Sequence, residues 1–593
     1  MKVQRYKILY FFIATIITIF IARIWINIAG NQYAFNTKIP ALRGNIYDCK
    51  GRLLSTSEIV YTAYLDLRYL KSIAGNAYKR DPDFIKMLSN FGLKTSLESF
   101  DNNLIIKLGS FSNRDDIQKK VPVQYLRFVS VEPEERRIFI SEYGLNFIVG
   151  KTEQRYGISG AEAFFDKILR PIRDGTTSIT YSGFFGRKAK AIKIEPENGK
   201  DVVLSIDSFL QKDLYKLVND YEKEKQATEV GIVVMESESG KLRVLLTTQS
   251  WPSYYMGYVE PGSTIKPILF SAALELGIVK PESTFYCPGY VQPIDGLSLK
   301  IKDLEKHRDI NLYDGLVHSC NVVSILTVKK LVESYGQEKI YEILTAFGFG
   351  KETGLELPGE IPGKLSTPDK WYKADWAFLG IGQSIGVTPV QLVAAFNAVI
   401  NDGIYVQPSI DEKKDTIKKR IISSSTSRII KEMLRDVIDR GTGVNAKIEG
   451  IEIYGKTGTA QKSNKKEVTA LFIGQAKLKK NYTILVWVDS PQMERLSSVV
   501  AAPLFKKVVE KLEKYISEED KNNNNEDLVN LRGWSLEEVV KYAKENSLKL
   551  VFNNYGLYVT NYYFEITPEG TQLRVEMSEK FVLNGSNNNA KNK

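Results

Sequence analysis

Near the start of the chain Lys2, Arg5 and Lys7 precede a nearly unbroken apolar run from Ile8 to Ala22, which resumes after Arg23 as Ile24-Trp25-Ile26. About 22 such residues, at about 1.5 Å each, match the hydrocarbon thickness of a bilayer. The expectation is a single transmembrane helix, with Arg23 snorkelling to the interface beside the aromatic anchor Trp25. The three basic residues put the N-terminus in the cytoplasm and everything from about residue 31 outside. No small-x-small site follows the apolar core to suggest a cleaved signal peptide.

From Asn31 to about Leu214, strand-like stretches such as Thr62-Ala-Tyr-Leu-Asp66 and Asp201-Val-Val-Leu-Ser-Ile-Asp207 alternate with charged connections. The stretch Arg43-Gly44-Asn45-Ile46-Tyr47-Asp48 reads as a strand and turn whose charged ends form a structural salt bridge. From about Gln226 the texture changes. Gly231–Met235 and Leu242–Leu246 read as a hairpin around Ser239-Gly240, and helical periods follow over Pro267–Leu276, Val322–Tyr335 and Pro389–Asn401. Leu471-Phe-Ile-Gly474 and Tyr482–Val488 return as strands, and Ala502–Glu513 reads as a closing helix. Strands at both ends of a helical middle predict one α/β unit whose sheet is closed by distant segments. Ser517–Asp527 reads as a solvated linker, and Ser535-Leu-Glu-Glu538 as a capping box opening a helix through Glu545, with two short strands after it. The Asn- and Lys-rich tail from Asn584 is expected to be disordered.

At 593 residues the chain has room for three or four units of about 150 each. Its 43% hydrophobic content excludes a largely disordered protein. The net charge of +11 spreads along the whole chain, with no basic stripe interleaved with aromatics, so nucleic acid is not an expected partner. Cys49, Cys287 and Cys320 are far apart and form no CxxC pair; neither a disulfide framework nor a zinc site is indicated, and no cofactor or metal is expected. His307 and His318 are the only histidines, so covalent catalysis here calls for a lysine base.

Pro261-Gly262-Ser263-Thr264-Ile265-Lys266 precedes an apolar helical run, with Pro267 suited to the first turn. The i,i+3 spacing puts Ser263 and Lys266 on one face, a nucleophile beside an amine. Free N–H groups at the helix start stabilise an oxyanion. Ser-x-x-Lys alone is weak, since Ser463-Asn-Lys-Lys466 repeats it, but two further motifs follow in order. Ser319-Cys320-Asn321 lies ahead of a helical run, whereas its decoy Ser586-Asn-Asn588 lies in the tail. Lys456-Thr457-Gly458-Thr459 follows the strand-like Ile451–Tyr454 and occurs once.

With this trio the sequence resembles the class B penicillin-binding proteins. Arg155-Tyr-Gly-Ile-Ser-Gly160-Ala-Glu162, Gly199–Asp207 and Gly380-Ile-Gly-Gln383…Val387-Thr-Pro389 extend the resemblance over nearly the whole chain. It implies an anchor over 1–30, a mixed β-rich pedestal over 31–215, an α/β (α+β) serine penicillin-recognising transpeptidase domain over 216–515, a linker over 516–526, a small αβ module similar to a PASTA domain over 527–580, and a tail over 581–593. Asn561-Tyr-Tyr-Phe564 stands where a Gln-x-Pro pattern is common in PASTA domains, and Ser497-Ser-Val-Val-Ala-Ala-Pro503 lacks the glycine pair often found before Ala-Ala-Pro.

By this resemblance the reaction is D,D-transpeptidation of peptidoglycan. A stem peptide ending in D-Ala-D-Ala acylates Ser263, D-Ala leaves, and an amine of a neighbouring strand resolves the ester. A D-Ala-D-Ala carboxypeptidase side activity is compatible with it. Lys266 acts as base, neutral near pH 7 if Lys456 is close. Ser319 relays a proton to the leaving amine and Asn321 holds the substrate amide. Lys456, Thr457, Gly458 and Thr459 receive the terminal carboxylate, the backbone N–H groups of Ser263 and Thr459 form the oxyanion hole, and the strand carrying Lys456 pairs edge-on with the peptide. Thr459 as a plain strand residue, and Ser319 or Asn321 as helix caps, are the structural alternatives. Cys320 is expected to face inward, and His318 to pack at a helix end.

The implied partners are stem peptides, β-lactams, the membrane, a polytopic glycosyltransferase and other divisome proteins, in septal rather than elongation synthesis. The enzyme is placed on the outer face of the cell membrane. Competing readings are a divisome scaffold or β-lactam sensor with little turnover, and an elongation-type transpeptidase. A class A β-lactamase is disfavoured because no Glu-x-x-x-Asn lies between Asn321 and Lys456. A bifunctional synthase is disfavoured because the pedestal shows no glycosyltransferase carboxylates.

Overall fold

The computed structural model describes residues 2–30, 33–93, 104–182, 188–294, 296, 298–462, 467–524, 534–545, 549–552, 558–567 and 570–578. The chain forms two compact units built from interleaved segments: Met1–Asn45, Thr56–Ile138 and Lys167–Asp201 in the first, Ile46–Ser55, Phe139–Asp166 and Val202–Lys593 in the second.

The first unit opens with helix α1 (Lys2–Gly30). Its described side chains from Leu9 to Trp25 are exposed, Phe11 at 76% and Phe12 at 66%. Among the described residues, however, no helix is long and apolar enough to cross a membrane, so the structure does not establish the expected span. An antiparallel sheet follows, with Gly175–Ser182 between Tyr33–Ile39 and Lys188–Ile194. A separate core gathers Leu65, Leu70, Phe84, Met87, Leu108 and Phe128 beside the antiparallel pairing of Tyr61–Asp66 with Ile105–Phe111.

The second unit is organised by α2 (Ser208–Lys225), β1 (Glu229–Glu236), β2 (Leu242–Thr247), α3 (Lys266–Glu275), α4 (Asn321–Tyr335), α5 (Pro389–Ile400), α6 (Ser424–Asp439), β3 (Glu452–Gln461), β4 (Val468–Lys477), β5 (Asn481–Asp489) and α7 (Ser497–Asn524). The sheet order is β2-β1-β5-β4-β3, all antiparallel, with the first hairpin joined to the last three strands through β1–β5. This is the expected closure by distant segments, and it leaves β3 at the edge.

Alternation along β1 explains why both faces are covered. Val230, Ile232 and Val234 join one cluster with Leu214 of α2 and Phe505 and Val508 of α7. The intervening Val233 and Met235 are equally buried on the opposite face. On α5 every residue is buried, and Asn397 accepts a 2.7 Å hydrogen bond from Thr483 Oγ1 of β5. Burying each such aliphatic side chain is worth about 1.5–3 kcal/mol.

Two helix starts are legible in their caps. Asp207 accepts from the N–H groups of Phe209 and Leu210 to open α2, and Thr388 with Gln391 forms a reciprocal capping box on α5. Of Asp201–Asp207, only Val202-Val203 is strand, parallel to Ile46-Tyr47. Asp48 makes its ion pair with Arg52, where the sequence suggested Arg43. Arg52 Nε lies 2.6 Å from Asp48 Oδ2 and Nη2 lies 2.5 Å from Asp207 Oδ1, while Ser208 Oγ and Tyr515 OH donate to the two carboxylates. All three charged groups are at most 3% exposed. Burial and the Asp207 charge leave Asp48 with a raised pKa against the opposing charge of Arg52; Asp207 is lowered, because Arg52 and the Tyr515 hydrogen bond overcome its burial.

Helix α7 continues to Asn524, through much of the stretch expected as a linker, because its Glu- and Lys-rich sequence contains no glycine and no proline after Pro503. Beyond it, α8 (Leu536–Glu545) begins with the expected capping box: Ser535 Oγ accepts from Glu538 N–H, and the Glu538 carboxylate accepts from Ser535 N–H at 2.8 Å. Three strands follow where two were expected, with Gly570–Ser578 between Lys549–Phe552 and Tyr558–Thr567. Val539, Val559, Leu573 and Val575 form their core. The tail and the decoy motifs at 463–466 and 586–588 lie outside the described residues.

Candidate active site

Ser263 sits in the 3-10 turn Gly262–Ile265, which runs directly into α3 at Lys266 with Pro267 in its first turn. Ser263 is half-buried and Lys266 is fully buried one turn on. The ammonium of Lys266 donates to Ser319 O at 2.6 Å, to Asn321 Oδ1 at 2.8 Å and to Ser319 Oγ at 3.4 Å. The first motif thus grips both polar residues of the second. Burial brings the Lys266 pKa down from 10.5 to about 8, against the opposing charges of Asp303 and Cys320. That is less than the fall to near 7 anticipated from the sequence.

Ser319 adopts φ 59°, a left-handed conformation rare outside glycine. It ends the turn after the helix Leu312–Val317 and lets the chain enter α4. Neither Ser319 nor Asn321 caps α4. The cap residue is Cys320, whose Sγ accepts from Val323 N–H, while Asp303 Oδ2 accepts from Asn321 N–H at 3.0 Å. Both motif side chains are therefore released from capping and turned to Lys266. Cys320 faces inward as expected, and His318 is exposed at the end of Leu312–Val317.

The third motif lies on the edge strand β3. Lys456 is fully buried, and its pKa is held far below the ordinary lysine range by burial and then by the charge of Lys266. Thr457 Oγ1 shares a 2.8 Å hydrogen bond with Thr442, a contact with no signal in the sequence, and Thr459 Oγ1 donates to Ser497 Oγ at 3.0 Å. Gly458 is required by a close approach: a Cβ there would fall 2.7 Å from Thr264 Cγ2 and 2.8 Å from Pro261 O. Gly262 lies as close to Thr459, whose carbonyl oxygen would be 3.0 Å from an added Cβ. The serine turn and the Lys-Thr-Gly strand are thus packed backbone to backbone. The Gly380–Pro389 segment closes in from another side, Gly262 N–H donating to Gly382 O at 3.1 Å and Val259 bridging Val387. Beyond Thr459 the strand passes along a cleft of about 980 Å³ lined by Trp251, Tyr258, Trp371, Tyr372, Gln383 and Gln461.

This arrangement supplies an oxygen nucleophile, two buried lysines of lowered basicity and an open strand edge, the parts needed for acyl transfer to serine. Residues 230–510 match the family described as the penicillin binding protein transpeptidase domain. The matched residues lie within the second unit. Over 523 residues the chain is 27% identical to Stage V sporulation protein D of Bacillus subtilis, covering 81% of this chain and 79% of that protein. It is 25% identical over 514 residues to a Neisseria gonorrhoeae protein named Probable peptidoglycan D,D-transpeptidase PenA, with 81% and 85% covered. Among solved structures, a peptidoglycan synthetase from Bifidobacterium adolescentis aligns with a TM-score of 0.63 at 20% identity, over 82% of this chain and 97% of that one. Penicillin binding protein 3 from Mycobacterium tuberculosis, in complex with aztreonam, aligns at 0.60 and 22%, with the same coverage. These two likenesses are of fold. The transpeptidase domain and the named relatives support a class B penicillin-binding protein.

Proposed function

We propose that the chain is a serine-type peptidoglycan D,D-transpeptidase, a reading carried by Lys266, whose ammonium reaches both Ser319 and Asn321 one turn from Ser263. In this reading neutral Lys266 takes the Ser263 proton as Oγ attacks the D-Ala-D-Ala carbonyl. The oxyanion forms against the N–H groups of Ser263 and Thr459, where the serine turn abuts β3. Ser319 passes a proton to the departing D-Ala amine, and Asn321 holds the substrate amide. Lys456 and Thr457 face the terminal carboxylate. The outer edge of β3, the last strand of the sheet among the described residues, aligns the extended peptide by strand addition. An acceptor amine then attacks the ester, regenerating Ser263, and a β-lactam enters as an acylating analogue that water removes slowly.

The exposed apolar stretch of α1 is assigned here to a membrane anchor, with the catalytic unit outside the cell. A polytopic glycosyltransferase is the membrane partner that supplies glycan strands, and other divisome proteins complete the assembly. The C-terminal helix and three strands are read as a PASTA-like module, which favours septal over elongation synthesis.

The deciding experiment is intact-mass analysis of the full chain after incubation with a penicillin, beside Ser263→Ala. A stable adduct on the wild type and none on the variant is the expected result; a folded wild type that takes up no drug overturns the reading. Gly458→Ala gives a second check. Its new methyl group meets Pro261 O and Thr264, so β3 and the serine turn must separate. Acylation is expected to slow by about 10²-fold, the scale of a misplacement near 1 Å. A rate equal to wild type would show that the close approach is irrelevant to acyl transfer.

A further inference from the structure

The spacing of the three cysteines concealed a convergence. We propose that Cys287, Asp303, His307 and Cys320 bind a zinc ion in a four-coordinate site that braces the Ser319–Asn321 turn. The four come from three pieces of chain, with Asp303 and His307 on one short connection. Cys287 ends the strand Thr284–Cys287, where it pairs with Arg308, so His307 arrives just beside it. Asp303 follows the short strand Ile301-Lys302, and Cys320 is the cap of α4. Their ligand atoms all lie within 4.8 Å of one another.

The distances fit a common ion. Zinc bonds of about 2.3 Å to sulfur and about 2.0–2.2 Å to nitrogen or oxygen imply tetrahedral edges of roughly 3.3–3.8 Å. Cys287 Sγ lies 3.4 Å from Asp303 Oδ2 and 3.6 Å from His307 Nδ1, and His307 Nδ1 lies 3.7 Å from Asp303 Oδ2. Cys320 lies within 4.8 Å of Cys287 and His307, and its Sγ approaches Asp303 Oδ2 to 2.8 Å, closer than a tetrahedral edge. That pair opens when one thiol hydrogen bond is exchanged for two metal bonds.

Hydrogen bonding alone accounts poorly for the cluster. Asp303 Oδ2 faces both thiols, the imidazole and the N–H groups of Asn321 and Val322, more donors than one oxygen has lone pairs. A cation relieves this crowding by turning the thiols and the imidazole into ligands. Binding replaces two S–H bonds by two Zn–S bonds and adds one bond each to the carboxylate and the imidazole. Two protons leave to solvent, and no electron changes hands.

The donor chemistry selects the metal. Two thiolates with an imidazole and a carboxylate suit zinc and disfavour calcium or magnesium. Both cysteines are fully buried, and the Asp303 and His307 side chains are only 2% and 11% exposed, as in a closed structural site. Further bonds steady the ligands: Leu304 N–H holds Asp303 Oδ1 at 2.8 Å, and Val323 N–H points at Cys320 Sγ. The consequence for the reaction follows from position, because Cys320 stands between the two residues that Lys266 grips. Metal binding is independent of the transpeptidase reading; only its effect on acylation rests on it.

The test is the zinc content of the full chain after zinc reconstitution and removal of excess, with cobalt(II) as a spectroscopic probe. Stoichiometric zinc, and thiolate charge-transfer and tetrahedral d–d bands with cobalt, are expected. Cys287→Ser and His307→Ala should lose these signals while keeping the wild-type circular dichroism, whereas Ser263→Ala should keep them although it cannot be acylated. Chelation should slow penicillin acylation at least tenfold, with recovery on adding zinc back. Substoichiometric zinc with no cobalt bands, or a reductant-reversible mass deficit of two hydrogens from a Cys287–Cys320 disulfide, would overturn the proposal.

Discussion

Replacing Lys266 by methionine is expected to slow acylation by a labelled penicillin by about 10²–10⁴-fold, the usual contribution of a positioned general base. Methionine fills the fully buried stem site without the amine, so the loss is chemical more than architectural. Asn321 Oδ1 and Ser319 O lose a donor, at about 1–3 kcal/mol for each left buried and unpaired. The removal of a buried charge offsets part of this. Stopped-flow acylation and a thermal melt separate the two effects, and a rate within tenfold of wild type would place the base elsewhere.

The wild-type pH profile carries the same information. With Lys266 near 8, the neutral fraction and hence the acylation rate rise about tenfold per pH unit below that value and level off above it. Stability moves the same way. Because the folded pKa lies below the unfolded one, the unfolded chain binds more protons between about pH 8 and 10.5, and stability increases with pH through that window. The full difference is about 3 kcal/mol at 1.36 kcal/mol per pH unit.

The second large effect lies away from the serine. Arg52→Ala is expected to cost about 3–5 kcal/mol, because it leaves Asp48 and Asp207 buried without their cation. One of the two carboxyls would then take up a proton, and the loss would grow with rising pH. Denaturant unfolding of the full chain measures it. Combining Arg52→Met with Asp48→Asn and Asp207→Asn should restore most of the stability, whereas a loss under about 1 kcal/mol for Arg52→Ala would show that the network contributes no more than an exposed ion pair.

What the sequence disclosed follows the range of the interactions concerned. The β1–β2 hairpin, the run of α5 and the Ser535 cap were legible because alternation, apolar period and capping chemistry are local. The three motifs were legible because each couples a reactive residue type to a helix start or strand. Helices α2 and α6 went unread, although Leu210, Leu214 and Val218, and Ile430, Leu434 and Val437, carry the helical period; charged neighbours masked it. Asp303, Thr442 and the partnership of Arg52 with Asp207 had no local signal at all. Asp303 hangs between the short strands Ile301–Lys302 and Arg308–Asn311, and Asp207 meets Arg52 from 155 residues away. The interleaving of the two units has the same origin, since returning segments are joined by tertiary pairing and no composition change marks them.

The left-handed backbone of Ser319 sets folding and catalysis at odds within one residue. A side chain held at φ 59° costs about 1–3 kcal/mol that glycine would not. Any lineage under pressure for heat resistance alone gains by deleting that side chain, and with it the hydroxyl facing Lys266. Thermal robustness in this domain must therefore be sought in the helices behind the sheet, where added stability leaves the strained turn intact.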